Sequence, residues 1–420
     1  MNTTALRLYG EDDLRLESFS LPEPGDDEIL AEVVSDSLCM SSYKAAKQGV
    51  KHARVPENVA TAPVMVGHEF SVKLLKVGSK WAHRYQEGAP YGIQPALLHR
   101  GTLDAPGYSF PYIGGDATYV LIPSCVMEMG CLLDYTGAGY FRASLAEPLS
   151  CVIGAARASY HVPVGSHEHQ PGIVEGGRAA ILAGAGPMGL AMISLLIYGP
   201  RRPSVLLVTD IDQARLDRAA TVLPVQAAAD NGVQLIYQNT ASEAAAQTVR
   251  QESAGTFDDV FVFAAIESLI EQADSLLARG GCLNFFAGPT DTDFSAPLNL
   301  YNVHYRGTHI VGTSGGNTED MRLALEWISD GTIDPAILVT HVGGLTAARD
   351  ATMKLPTLPG GKKLLYTHFD MPLVAIEDFA KRGEQAPFYA ALAEICDRHR
   401  GLWSLEAEHY VLAHGPRLKP

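Results

Sequence analysis

The segment Gly184-Ala185-Gly186-Pro187-Met188-Gly189 constrains this chain more than any other. The uncharged run Ala179–Ala183 before it predicts a strand, and the apolar run Pro187–Tyr198 predicts a helix. A glycine turn in that setting has a physical use. The first glycine permits the tight turn, the second lets a pyrophosphate approach the backbone, and the third lets helix pack on strand. The new helix also offers free N–H groups and partial positive charge to phosphates. Asp210 follows Gly189 by 21 positions, at the predicted end of the next strand, where a carboxylate binds a ribose 2′-hydroxyl. A 2′-phosphate there would face a like charge, so NAD(H) is expected over NADP(H). Arg215 lies close enough in sequence to soften that preference.

The rest of the chain supports this frame. After Ala156, predicted strands (Ser204–Thr209, Leu235–Tyr237, Val260–Ala264, Cys282–Ala287, His309–Gly312) alternate with predicted helices (Gln213–Leu223, Ala241–Glu252, Glu267–Ala278). That alternation means a parallel sheet with helices on both faces. The first third instead carries short β-type runs, among them Ala5–Tyr9, Ile29–Val34, Phe70–Val77 and Thr118–Ile122, and reads as a compact barrel-like domain. Ala96–Gly115 reads as a long loop. The 420 residues are too many for one ordinary core and suit two domains with an appendage.

Composition excludes several partners. Lys plus Arg is 32 and Asp plus Glu is 47, a net charge of -15. Such a surface repels nucleic acid, and an anionic substrate needs a local basic pocket. The start, Met1 to Glu17, has no apolar signal core, and six scattered cysteines form no disulfide framework, so a reducing cytoplasmic setting is expected. The uncharged stretch Ala179–Tyr198 is long enough to span a bilayer, but Gly184, Gly186, Pro187 and Gly189 break it, and no membrane partner is expected.

Three segments upstream of the glycine turn carry metal-ligand side chains: Ser37-Leu38-Cys39-Met40-Ser41-Ser42, Gly67-His68-Glu69 and Ala146-Glu147-Pro148-Leu149. A catalytic zinc takes about three protein ligands and one open position. Cys39, His68 and Glu147 are the expected ligands, with Glu69 beside the metal or exchanging onto it. Zinc in that position polarises a carbonyl or stabilises an alkoxide. Ser41, two residues after the cysteine, is placed to conduct the hydroxyl proton.

These residues resemble the zinc-containing medium-chain dehydrogenase/reductase superfamily, which includes alcohol and sorbitol dehydrogenases. The likeness runs from about Ala5 to Tyr366, and Gly331-x-Ile333-Asp334-Pro335 and Gly360-Gly361-Lys362 also look familial. The resemblance implies an α/β architecture in which a Rossmann doubly wound parallel sheet is inserted into a GroES-like β-barrel catalytic domain. The expected divisions are 1–155 and 317–368 for the catalytic domain, 156–316 for the nucleotide domain and 369–420 for a C-terminal extension. The resemblance further implies an active site in the cleft and a homo-oligomer, dimer or tetramer, formed through Rossmann edges. Glu147 is similar to the polyol dehydrogenases, where classical alcohol dehydrogenases place Cys.

Two departures stand out. The loop Gln94–Tyr119 holds none of the four cysteines that bind a structural zinc in many relatives, so only one zinc is expected. Lys44 stands where relatives often carry a proton-relay histidine, and it places positive charge near the cleft instead. The segments Asp36–Lys44 and Pro106–Asp116 and the long tail resemble the branch that interconverts L-sorbose 1-phosphate and D-glucitol 6-phosphate. Lys44, Lys51, His304 and Arg306 are candidate phosphate contacts. An unphosphorylated polyol is the alternative substrate. A non-catalytic nucleotide-binding sensor or structural protein would need the glycine turn but not the three ligands.

Overall fold

The computed structural model describes residues 1–419, which fall into two compact units. One unit is Met1–Glu147 with Asn317–Pro420, and the other is Pro148–Gly316. The tail after Phe369 thus belongs to the first unit.

The second unit is built on a six-stranded parallel sheet. Its spatial order is Gln234–Asn239, Val205–Asp210, Arg178–Leu182, Phe257–Val262, Leu277–Phe285, His309–Gly312. The first strand in sequence lies inside and the chain winds outward both ways from it, the doubly wound arrangement. Strands buried on both faces read as unbroken apolar runs, which is why Ile181, Leu182, Leu206, Val208, Val260 and Phe261 are all fully enclosed. Pro187–Tyr198 is a helix of 12 residues, apolar all round because it is buried all round. The uncharged stretch is therefore a strand, a turn and a short helix. Among the described residues no helix is long and apolar enough to cross a membrane.

Part of this unit departs from the sequence expectation. The helix expected over Glu267–Ala278 stops at Leu276, and Leu277 already pairs in parallel with Phe257. Leu276 and Leu277 are both buried, so no change in hydrophobicity marks the boundary. The next strand accordingly starts five residues earlier than Cys282.

The first unit contains an eight-stranded, mostly antiparallel sheet. Its central strand, Ile29–Ser37, pairs with Lys362–Tyr366, with Phe70–Val77 and with Tyr119–Ile122. Distant segments thus meet along one strand, and the last residues of Ile29–Ser37 lead directly into Cys39. A separate three-stranded sheet holds Asn2–Gly10, Asp13–Ser20 and Val64–Met65. The sequence reading missed the short strands Pro90–Ile93, Leu132–Asp134 and Val339–Gly344.

The tail is part of this unit's core. Phe379, Leu392, Ile395, Trp403, Ala407 and Val411 pack with Phe141, Leu364, Tyr366 and Phe369. Glu408 is enclosed there. It accepts hydrogen bonds from the backbone N–H groups of Tyr140 and Phe141, each at 2.8 Å, and from the Tyr366 hydroxyl at 3.0 Å. Trp403 donates its indole N–H to the same Tyr366 oxygen at 2.9 Å.

Candidate active site

Cys39 stands at the N-cap of the helix Met40–Gln48, which carries Ser41, Ser42 and Lys44 on its first turns. His68 and Glu69 lie in the short connection that enters Phe70–Val77. The Cys39 sulfur, a His68 ring nitrogen and a Glu69 oxygen all lie within 4.8 Å of one another. Residues 29 positions apart meet because the strands that follow and precede them are hydrogen-bonded neighbours: the Ser37 N–H donates to the Glu69 carbonyl at 3.0 Å.

Hydroxyls surround the imidazole. Ser42 Oγ bonds His68 Nδ1 at 3.1 Å, and Ser41 Oγ lies 3.2 Å from Nε2. Ser41 also donates to Cys39 Sγ at 3.1 Å. Tyr108 donates its hydroxyl to Ser41 Oγ at 2.8 Å and lies 3.3 Å from His68 Nε2. Both oxygens of Glu69 are engaged by the Lys362 ammonium, one of them at 2.7 Å, and Ser37 Oγ donates to the same carboxylate.

Tyr108 and Lys362 were not among the expected site residues. Tyr108 sits in the segment read as a long loop. The signal for it is Gly107, which rides on Gly67 so closely that a Cβ there would be 2.1 Å from the Gly67 oxygen. Lys362 was noticed only as part of a Gly-Gly-Lys sequence. Nothing local shows that the strand Lys362–Tyr366 runs beside Ser35–Ser37.

The charges in this pocket hold one another in place. Burial, then the Glu69 charge, pushes the Cys39 thiol up. Burial pushes His68 down against the pull of Glu147 and Glu69, so its ring is neutral and able to act as a ligand. Burial alone would push Lys362 down, but Glu69, Cys39 and Glu147 outweigh it. Glu147 opens the helix Ala146–Ala158 and is buried. Burial, opposed by His68 and reinforced by Glu69 and Cys39, pushes it up to about 7. The tight three-atom cluster contains Glu69, whereas Glu147 shares the electrostatic surroundings of all three members.

The other expected residues divide between the two units. The glycine turn lies in the second unit, as a strand-to-helix turn with Pro187 and Met188 starting the helix. A Cβ on Gly189 would be 2.0 Å from the Gly184 oxygen, but one on Gly186 would meet nothing within 4 Å. Gly186 thus leaves its backbone open to a ligand, and Gly189 serves packing. Asp210 ends the neighbouring strand and is buried. Its carboxylate accepts the N–H of Ala185 at 3.0 Å and of Asp212 at 3.1 Å. Asp212 is the cap of the next helix, so Asp210 is not. Arg215 is exposed and 3.5 Å from Asp212. Of the phosphate candidates, Lys51 is exposed and paired with Glu11 at 3.0 Å, and Lys44 is half-buried on the helix beside Ser41. His304 and Arg306 belong to the second unit, where His304 is exposed.

A doubly wound nucleotide-type sheet and a buried thiol–imidazole–carboxylate cluster on a separate β-rich unit define a metal- and nicotinamide-dependent dehydrogenase. Comparison with known proteins agrees. The family model for zinc-binding dehydrogenases matches residues 206–330. The chain is 51% identical over 413 residues to L-sorbose 1-phosphate reductase of Klebsiella pneumoniae, covering 98% of each chain. It is 47% identical over 414 residues to mannitol-1-phosphate 5-dehydrogenase of Aliivibrio fischeri, covering 98% of this chain and 97% of that one. The crystal structure of a zinc-binding dehydrogenase of Sinorhizobium meliloti bound to NADP superposes with a TM-score of 0.68 at 20% identity, over 87% of this chain and 99% of the other. The chain belongs to the zinc-binding dehydrogenase family and is an oxidoreductase of the alcohol-dehydrogenase type.

Proposed function

We propose that the chain interconverts a ketose phosphate and a polyol phosphate, L-sorbose 1-phosphate and D-glucitol 6-phosphate foremost, using one zinc ion and NAD(H). The observation that carries the chemistry is the buried cluster of Cys39, His68 and Glu69 within 4.8 Å. The donor set fits zinc. It joins a thiol, a neutral imidazole and carboxylates in a pocket where burial, then the Glu69 charge, raises Cys39. Cys39, His68 and Glu147 are the proposed ligands. Glu69, with both oxygens already held by Lys362, stands beside them as a charge partner that can exchange inward. The substrate class is supported by the phosphorylated substrates named for the two full-length relatives.

When bound, zinc supplies Lewis acidity to a substrate oxygen, and NADH supplies the hydride. The chain's own residues then manage the proton. Ser41 Oγ is the hydroxyl nearest the cluster, and Tyr108, its donor at 2.8 Å, is the next station. Burial, then the charge at Cys39, pushes Tyr108 well above the usual phenol range, so it stays protonated and able to donate. Lys362 holds Glu69 in place throughout. In the second unit, Gly184, Gly186, Pro187, Met188 and Gly189 would seat the pyrophosphate and Asp210 the ribose, which supports NAD(H) over NADP(H). Arg215 stands on the helix that follows Asp210. The protein is proposed to be cytoplasmic and to assemble as a dimer or tetramer along the outermost strand, His309–Gly312. There Leu300, Tyr301, Tyr305 and Ile310 are exposed.

Steady-state reduction of L-sorbose 1-phosphate and of L-sorbose, each with NADH and NADPH, tests the reading. The phosphorylated ketose with NADH should give the highest kcat/KM. Equal rates on free and phosphorylated sugar would leave an unphosphorylated polyol as substrate. Preference for NADPH would remove the role given to Asp210. Glu147→Ala should cut turnover by about 100-fold or more while NADH binding is retained, and the zinc content of that variant should fall below one per chain.

A further inference from the structure

Arg54 and His52 stand beside the candidate site with no part in the mechanism above. Both are half-buried. The His52 ring lies parallel to that of Tyr108, 2° from coplanar orientation, with centroids 5.6 Å apart. The Arg54 guanidinium lies over the same Tyr108 ring, 5.3 Å from its centroid. The backbone around them is tied down. The Arg54 N–H donates to His52 Nδ1 at 3.3 Å, and the Arg54 carbonyl accepts the Ser109 hydroxyl at 2.7 Å. Ser109 Oγ in turn accepts the Ala105 N–H at 3.0 Å. Because Nδ1 of His52 accepts, the ring proton sits on Nε2 as a donor.

This geometry leaves cationic chemistry unanswered. Among the described residues Arg54 has no carboxylate within ion-pair distance, in a chain with 47 acidic and 32 basic residues. Burial first, then the positive charges of Arg54 and Lys44, push His52 down. Arg54 is thus a cation without an ion-pair partner on a protein of net charge -15, the kind of group that can draw an anionic substrate against the overall field.

We infer that Arg54, with His52 and Lys44, binds the phosphate of the substrate. This rests on the ketose phosphate reading above. One phenol ring separates the guanidinium from Ser41 and His68, since the hydroxyl of that ring touches both. The planar guanidinium offers paired N–H donors to phosphate oxygens. Its place over the Tyr108 ring limits the side chain's freedom and lowers the entropy lost on binding.

The test uses three ketoses with the zinc-loaded enzyme: L-sorbose 1-phosphate, D-fructose 6-phosphate and L-sorbose. The wild type should prefer a phosphorylated ketose, the 1-phosphate foremost, over L-sorbose. Arg54→Gln should raise KM for the 1-phosphate by about 30- to 300-fold, collapse its advantage over L-sorbose, and abolish competitive inhibition by inorganic phosphate. NADH binding, read by fluorescence, confirms that the variant is folded. Arg54→Lys keeps the charge but not the fork, and should raise KM by about 5- to 20-fold. It decides the matter if Arg54→Gln does not fold. A wild type indifferent to phosphorylation would sink the ketose phosphate reading itself. A wild type that prefers a phosphorylated ketose, with unchanged KM in both Arg54 variants, overturns this subsite alone.

Discussion

At the scale of single residues, the least expected feature is a pair of carboxyl groups beneath the site. Asp36 and Asp116 are fully buried, and among the described residues no N–H or hydroxyl donor of any third residue reaches their four oxygens. Two ionised carboxylates do not share such a space, so the pair keeps a proton between them. Burial, then Asp116 and Glu69, pushes Asp36 well up, and burial pushes Asp116 from 3.8 up to about 7. The folded chain therefore holds protons that the unfolded chain releases, and stability falls as pH rises from 3.8 to about 7. Asp116→Asn supplies a permanent donor to Asp36. The drop in Tm between pH 4 and 7 should be shallower in that variant than in the wild type, and an equal drop would contradict the shared proton. None of this was legible in the sequence. Asp36 was noticed only as a neighbour of Cys39, and a lone aspartate on a strand is usually solvated. The ligand-type residues were legible because chemistry restricts them to a few side-chain types. Their partners Tyr108 and Lys362 were not, because a hydrogen-bond partner can come from anywhere in the chain.

At the scale of elements, the glycine turn separates two duties that the sequence motif runs together. Gly189 lies against the Gly184 oxygen, so Gly189→Ala must push the turn apart, with an expected loss of about 2–4 kcal/mol in unfolding free energy. Gly186 has extended backbone (φ -78°, ψ 175°) and open space, so Gly186→Ala should change Tm little yet weaken NADH binding by about tenfold or more. Calorimetry and a fluorescence titration on the two variants check this, and a Gly186→Ala protein with normal NADH affinity would place the pyrophosphate elsewhere. The elements of this region were readable because strands enclosed on both faces leave continuous apolar runs. The boundary at Leu276 and Leu277 was not readable, since both residues are buried and only the pairing with Phe257 decides between helix and strand. Two- to four-residue strands such as Leu132–Asp134 carry too few residues to show a period.

At the scale of the whole molecule, the tail completes the core of the unit that bears the candidate site. Trp403 is 1% exposed and joins Tyr366 and Phe379, while Glu408 caps the short helix Tyr140–Ser144 that leads toward Glu147. Trp403→Ala should cost about 3–5 kcal/mol, read as a lower midpoint in urea. A loss under about 1 kcal/mol would show that the tail is an accessory to that core. The sequence showed apolar helical runs in the tail but not the surface they cover, because amphipathic helices fit many partners.

The division into Pro148–Gly316 and a unit made of both chain ends has a consequence for synthesis. A ribosome delivers the inner stretch as one uninterrupted piece, and its sheet can close while translation is still under way. The outer unit waits for Lys362–Tyr366 to pair with Ile29–Ser37 and for Trp403 to arrive. The edge of Ile29–Ser37 that takes Lys362–Tyr366 therefore stays open through most of translation, so a stalled or prematurely ended message is expected to yield a nascent protein with the nucleotide-type half formed and the metal-type half still lacking its late strand and tail.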